Sequence, residues 1–207
     1  MSSPTLLPLA LACLFLGIGV GLRSILQRRR YGSTGIVLFK EPGIGRVRDS
    51  ALLILPLVLL GQGVVAWLAP RLLAPIVIEP GAPASVRMAG AVLVVASTLA
   101  MLAAQLNMGR SWRIGIERET RPGLVVDGAF AICRNPIYAC MLAALFGFLL
   151  LTPTYVSLGL LLSTWLGIRM QVVEEEAFLT RSYGDAYRHY AARVGRFFPG
   201  IGLLRES

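Results

Sequence analysis

The chain has 207 residues, 56% of them hydrophobic and 15% charged, against the roughly 25% charged residues of a soluble domain. Its apolar residues gather into blocks long enough to cross a bilayer, which excludes an ordinary soluble domain and predicts one all-α polytopic membrane domain over residues 1–207. The net charge of +9 does not make it a nucleic-acid binder, because its arginines fall in three clusters and no basic stripe interleaves with stacking aromatics.

The first apolar block runs from Leu6 to Leu26. It lacks the basic start and small-residue cleavage site of a secretory signal, and is read as a retained helix. A loop follows with Gly32, Gly35, Gly43 and Gly45 around Pro42, then a second block from Ala51 to Leu68 in which Pro56 and the Gly61/Gly63 pair bend or thin the helix. Pro70, Pro75, Pro80 and Pro83 break up the next segment. A third block, Val86 to Leu106, offers Ala89, Gly90, Ala96 and Ala100 for close packing.

After a polar stretch from Asn107, two apolar runs, Pro136–Leu151 and Tyr155–Val173, flank Thr152, Pro153 and Thr154 as a tight helical hairpin. This makes about five transmembrane helices, with a cytoplasmic amphipathic helix at the C-terminal end. Eighteen of the 20 basic residues lie in three segments: Arg23 to Arg48 (with Lys40), Arg110 to Arg134 (with Arg118 and Arg121), and Arg169 to Arg205. The positive-inside bias puts those segments in the cytoplasm, with the N-terminus outside and the C-terminus inside. Cys13, Cys133 and Cys140 have neither CxxC spacing nor a paired histidine, so they suggest no disulfide framework and no metal site.

Two stretches carry chemistry. In Leu124–Tyr138, Asn135 suits an N-cap and Pro136 the first helical position, so a helix begins with open amide donors beside the Arg134 cation, an arrangement that suits a carboxylate. The same residues also serve a helix start anchored at lipid headgroups. In Glu174–Pro199, three consecutive carboxylates follow an apolar run, where they need water, cations or a ligand, and carboxylates of this kind accept hydrogen bonds from ribose hydroxyls. Tyr183, Tyr187 and Tyr190 then recur at helical spacing, with Arg193 and Arg196 beyond, and His189 is expected on the exposed side. Alone, that stretch also reads as an amphipathic helix on the membrane surface.

Taken together, Arg134, Pro136, Tyr138, Glu175, Glu176, Leu179, Tyr183, Tyr187, Tyr190, Arg193, Arg196 and Pro199, in that order, resemble the isoprenylcysteine carboxyl methyltransferases and related phospholipid methyltransferases. The resemblance covers residues 107–199, while residues 1–106, the first three helices, match only in character. It implies S-adenosyl-L-methionine as cofactor and methyl transfer to a lipophilic carboxylate or thiol, in a bacterial cytoplasmic membrane. Arg134, Asn135 and Pro136 are then expected to hold the cofactor's carboxylate, Glu175 or Glu176 its ribose, and Tyr138, Tyr187 and Phe197 its adenine. Arg193 or Arg196 would orient the acceptor's anionic head as catalytic residues, and Ser111, Trp112 and Arg113 would line the acceptor side.

The partners implied are the bilayer and a lipophilic small molecule or lipidated substrate. Asn135 stands where the family commonly has histidine, so a proton shuttle at that position is absent. Two other readings of the same pattern are a nicotinamide-dependent membrane reductase related to sterol reductases, and a non-catalytic membrane docking protein.

Overall fold

The computed structural model describes residues 5–39, 44–78, 82–114 and 123–204. Of the residues named above, Lys40, Pro42, Gly43, Pro80, Arg118, Arg121 and Arg205 lie outside these, and nothing is said of the side chain of Arg48.

Among the described residues the protein is all helical. Helices α1 (Leu7–Leu16) and α2 (Arg23–Tyr31) form one rod through a π turn at Gly17–Leu22. Next come α3 (Ile44–Leu68), a 3-10 turn over Pro70–Ile76, α4 (Ala84–Asn107) and a 3-10 turn at Gly109–Ser111. The short α5 (Ala129–Ile132) leads into α6 (Pro136–Leu151), α7 (Tyr155–Tyr183) and α8 (Asp185–Arg193).

Among the described residues, Leu7–Tyr31, α3, α4 and α7 contain the four stretches long and apolar enough to cross a membrane. The 16 residues of α6 rise about 24 Å, short of the roughly 30 Å hydrocarbon core. Among the described residues, four long spans and this shorter apolar helix make up the expected set of about five.

The closest packing is between α4 and α6, and two glycines permit it. A Cβ added at Gly90 would lie 2.6 Å from the Gly147 carbonyl oxygen, and one added at Gly147 would lie 2.8 Å from the Gly90 carbonyl oxygen. Backbone meets backbone there, as small residues allow in lipid. Around the crossing, Leu11, Phe15, Val94, Met101, Ala144, Leu145 and Phe148 form the buried core, with Phe15 edge-on to Phe148 at 6.2 Å.

Polar groups close both ends of the bundle. At the hairpin turn the Thr154 hydroxyl caps α7 by accepting from the Ser157 N–H, and the Ser157 hydroxyl donates to the Thr152 carbonyl at 2.7 Å. Gln62 of α3 donates to the same hydroxyl at 2.7 Å, joining α3 to the turn. At the other end Arg23, 1% exposed, reaches the end of α4. It donates to the carbonyls of Gln105 (3.3 Å) and Gly109 (2.9 Å) and stacks on Trp112 at 4.5 Å. A cation thus meets the negative end of the helix dipole and its orphan carbonyls.

Two boundaries differ from expectation. Helix α7 runs ten residues past Val173 to Tyr183, so Glu174, Glu175 and Glu176 lie within it. Glutamate is a good helix former, and hydropathy falls off before helical propensity does. Gly184, at φ 54°, then separates α7 from α8, which puts Tyr183 on one helix and Tyr187 and Tyr190 on the next.

Candidate functional site

The sequence before α6 is extended at Cys133 and pairs in parallel with Gly195, just after α8. The Arg134 N–H donates to the Gly195 carbonyl at 2.8 Å, and the Asn135 N–H to the Arg196 carbonyl at 3.1 Å. This backbone seam brings the start of α6, the Glu174–Glu176 turn of α7 and the segment after α8 to one place.

Glu176 is the centre of that junction. Arg134 donates to its Oε1 through Nε (3.1 Å) and Nη2 (2.9 Å), while Arg196 donates to Oε1 through Nε (3.1 Å) and to Oε2 through Nη2 (2.6 Å). The three groups together carry one net positive charge. The Arg134 side chain is 2% exposed, that of Glu176 11% and that of Arg196 27%.

Arg134 also donates through Nη1 to the carbonyls of Ala191 (2.8 Å) and Val194 (2.6 Å), and through Nη2 to that of Gly202 (2.9 Å). All five of its N–H groups have acceptors within the chain. The expectation that Arg134 presents its guanidinium to a cofactor carboxylate therefore meets a group already committed to holding the fold together. The Nη1 of Arg196, by contrast, has no hydrogen-bond partner among the described residues.

Asn135 occupies the N-cap position and Pro136 the first turn of α6, as expected, but the Asn135 side chain does not cap the helix. Its amide donates to the Arg196 carbonyl at 3.1 Å, reinforcing the seam. Within the first turn, Pro136 has no N–H and the Ala139 N–H closes onto the Asn135 carbonyl at 3.0 Å. The N–H group of Ile137 precedes the first intrahelical acceptors and points out of the helix start.

Beside this junction the Tyr138 hydroxyl donates to Glu175 Oε2 at 3.4 Å, and the Arg113 guanidinium lies within electrostatic reach of Glu175. Arg113 thus comes to the site, while Trp112 and Ser111, expected beside it, make contacts within the chain. Trp112 is 3% exposed beneath Arg23, with its carbonyl accepting from Gln27, and the Ser111 carbonyl accepts from Arg113.

Tyr187 and Tyr190 are buried in ring contact at 6.1 Å, with Tyr183 packed on them. The Tyr190 hydroxyl donates to the Phe130 carbonyl at 2.6 Å, whereas that of Tyr187 is buried with no hydrogen-bond partner among the described residues. Phe197 leans on Trp165 of α7 at 5.8 Å. Arg193 does not join the cluster; it is exposed, with Nε donating to the His189 carbonyl at 3.2 Å, and His189 is exposed as expected. The site-forming groups not anticipated are Trp165 and the carbonyls of Ala191, Val194 and Gly202. Carbonyl acceptors leave no signature in residue types.

Burial raises both buried phenols. Tyr190 is pushed up to about 12, although the Arg134 guanidinium opposes this, and Tyr187 is raised further with the Glu176 carboxylate adding to the effect. A phenol in the unfolded chain ionises near pH 10. The folded state thus holds these protons more tightly, and the stability this contributes is complete below about pH 10 and lost as pH rises toward 12. A thermal melt series should show the melting temperature falling across that window, with a shallower fall for Tyr190→Phe.

Residues 86–186 match the model of the phospholipid methyltransferase family. The match begins in α4 and ends just inside α8, so it takes in Arg134, Tyr138, Glu175 and Glu176. The chain is 30% identical over 111 residues to the cobalt-zinc-cadmium resistance protein CzcN of Cupriavidus metallidurans, covering 52% of this chain and 51% of that protein. It is 28% identical over 114 residues to the nickel-cobalt-cadmium resistance protein NccN of Alcaligenes xylosoxydans xylosoxydans, covering 53% of each. The chain therefore spans about half the length of the curated relatives it matches. Among the described residues, no group of three or more His, Cys, Asp or Glu is placed to hold a metal ion. The matched region, from α4 to the start of α8, carries the Arg134–Glu176 pair and the Tyr138–Glu175 contact, and through it the chain is similar to the phospholipid methyltransferase family.

Proposed function

We propose that the protein transfers a methyl group from S-adenosylmethionine to a lipophilic acceptor bearing a carboxylate or thiol, where the start of α6 meets Glu175, Glu176 and Arg196. The observation that carries this reading is a cation edge, Arg196 in the segment after α8, bonded to the turn of α7 that also carries the Glu175 carboxylate. Arg196 Nη1 is uncommitted among the described residues, and Glu175 accepts a long 3.4 Å bond from Tyr138 with the Arg113 guanidinium in electrostatic reach. The two charges complement the amino-acid carboxylate and the ribose hydroxyls of that cofactor.

When bound, the cofactor supplies a methyl group on a sulfonium, ready for in-line displacement. The chain's task is to align donor and acceptor and to exclude water. Arg196 Nη1 and the Ile137 amide hold a carboxylate, in the manner of anion sites at helix starts. Glu175 exchanges its long bond from Tyr138 for a ribose hydroxyl. The unpartnered Tyr187 hydroxyl gives the buried wall a donor for adenine or ribose. Arg134 acts as a positioning residue, fixing Glu176 and through it Arg196.

A carboxylate or thiolate acceptor needs no base, which suits asparagine at position 135. The acceptor enters sideways from the bilayer. In the orientation set by the arginine clusters, the site faces the cytoplasm of a bacterial cell.

Calorimetric titration with S-adenosylhomocysteine in lipid nanodiscs tests this reading. Saturable binding is expected for wild type and for Arg193→Ala, and binding about tenfold weaker or worse for Glu175→Ala, the size of one charge-assisted hydrogen bond. A folded wild type that does not bind overturns it.

A further inference from the structure

The segment after α8, Phe197–Leu204, reads FFPGIGLL and contains no charged residue. It is held rigidly rather than frayed. The Arg196 N–H donates to the Ile201 carbonyl at 2.7 Å, the Leu204 N–H to the Ala191 carbonyl at 3.0 Å, and the Gly202 carbonyl accepts from Arg134. Its tip is a tight turn in which the Ile201 N–H donates to the Phe198 carbonyl at 3.2 Å, with Pro199 and then Gly200 (φ 72°) at the centre. That sequence and backbone suit a type II turn.

The turn aims its apolar side chains outward. Phe198 is 63% exposed and Ile201 65%, with Leu203 and Leu204 also exposed. A fixed turn presenting such a patch to water would be anomalous, and contiguous patches of this kind mark contact with lipid or protein.

Depth distinguishes the two. Phe197 packs on Trp165, and Trp165 lies 11 residues before Glu176 on α7, about 16 Å along the axis toward the hairpin turn. It also lies only ten residues, about 15 Å, from the outer-turn end of that helix at Tyr155, well inside its apolar span. Phe197 therefore descends along a lipid-facing helix instead of lying above it. Arg181, Arg188 and Arg193, all exposed, lie on the preceding helices, where they suit anionic headgroups.

We infer that Phe197–Leu204 is a membrane-inserted wedge, seated at the headgroup and acyl-chain boundary of the leaflet next to the start of α6, with anionic phospholipid as its occupant. The wedge is continuous with the lipid-facing surface of α7. It forms a lipid-contacting edge of the Arg196–Glu176 junction and stands independently of the methyl-transfer reading.

Spin labels at Phe198→Cys and Ile201→Cys, in a chain with its native cysteines replaced by alanine, are read in phosphatidylcholine–phosphatidylglycerol nanodiscs. His189→Cys, on the exposed side of α8, is the aqueous control. Collision with oxygen is expected to exceed collision with a water-soluble nickel chelate at 198 and 201, with the order reversed at 189. Nickel access at 198 and 201 equal to that at 189 overturns the wedge. A second arm needs no substitution: photolysis of the native chain against phospholipid carrying an acyl-chain diazirine should label Phe197–Leu204. Labelling confined to the membrane-spanning helices overturns the inference even if the cysteine variants fail to fold.

Discussion

Glu176→Ala should lower the melting temperature of the detergent-purified protein more than any other single change at the site, and should abolish S-adenosylhomocysteine binding with it. The substitution leaves two guanidiniums side by side, the Arg134 side chain 2% exposed, with no carboxylate between them. Removing one partner from a buried ion pair destabilises by about 3–5 kcal/mol, because the remaining charge stays desolvated. Here the damage spreads, since Glu176 joins α6, through Arg134, to the segment after α8, through Arg196.

Arg196→Ala should be milder, because it leaves a neutral Arg134–Glu176 pair with Arg134's other acceptors in place. The double variant Glu176→Ala/Arg196→Ala should therefore fall short of the sum of the two single losses. Circular dichroism melts, with limited tryptic digestion to detect release of the C-terminal segment, check all three. A Glu176→Ala protein that melts with wild type would show that the junction does not hold the bundle.

Gly147→Leu should prevent α4 and α6 from packing and sharply reduce folded protein in the membrane. Even the first added carbon meets the Gly90 carbonyl oxygen at 2.8 Å, Val94 Cγ2 at 2.9 Å and the Val94 nitrogen at 3.0 Å. Two of those three atoms are backbone and cannot turn aside. Overpacking by a methyl group typically destabilises by about 1–3 kcal/mol, so Gly147→Ala should be visibly weakened and the leucine variant far more so. Gly159 and Gly167 on α7 supply the contrast, since a Cβ at either meets nothing within 4 Å. Alanine at those positions should match wild type or gain up to about 1 kcal/mol from helix propensity. Equal losses on alanine substitution at all three glycines would mean that helix composition, not the crossing, sets stability.

The membrane-spanning blocks were legible because lipid demands long apolar runs, and the start of α6 was legible because Asn135–Pro136 announces a helix start in residue types alone. Other features depend on contacts between distant parts of the chain. The Arg134–Glu176 bond spans 42 positions, and which glutamate of three it selects is decided by the rotational phase of α7. The Asn135 side chain turned from capping because the Arg196 carbonyl came within 3.1 Å. Gly90 was visible as a small residue, but its partner Gly147 became apparent only when the two helices crossed. Arg23 was legible only as one of the first basic cluster, and its place at the end of α4 depends on the Gln105 and Gly109 carbonyls more than 80 positions away.

The π turn at Gly17–Leu22 sets the phase of the first rod. Pro8, Leu11, Ala12, Phe15, Gly19, Arg23 and Gln27 are all buried along one side. In an unbroken α-helix the eight residues from Phe15 to Arg23 would advance about 80° beyond two full turns, carrying Arg23 off that side. The wider turn absorbs roughly one residue, about 100°, and returns Arg23 nearly in line with Phe15. Gln105 of α4 donates at 3.0 Å to the Gly19 carbonyl within the widened stretch. The rod therefore works as two segments clocked against each other: straightening Gly17–Leu22 into regular α-helix with every residue kept would swing Arg23 away from the end of α4, whereas deleting one residue there would straighten the helix and keep Arg23 nearly in line with Phe15.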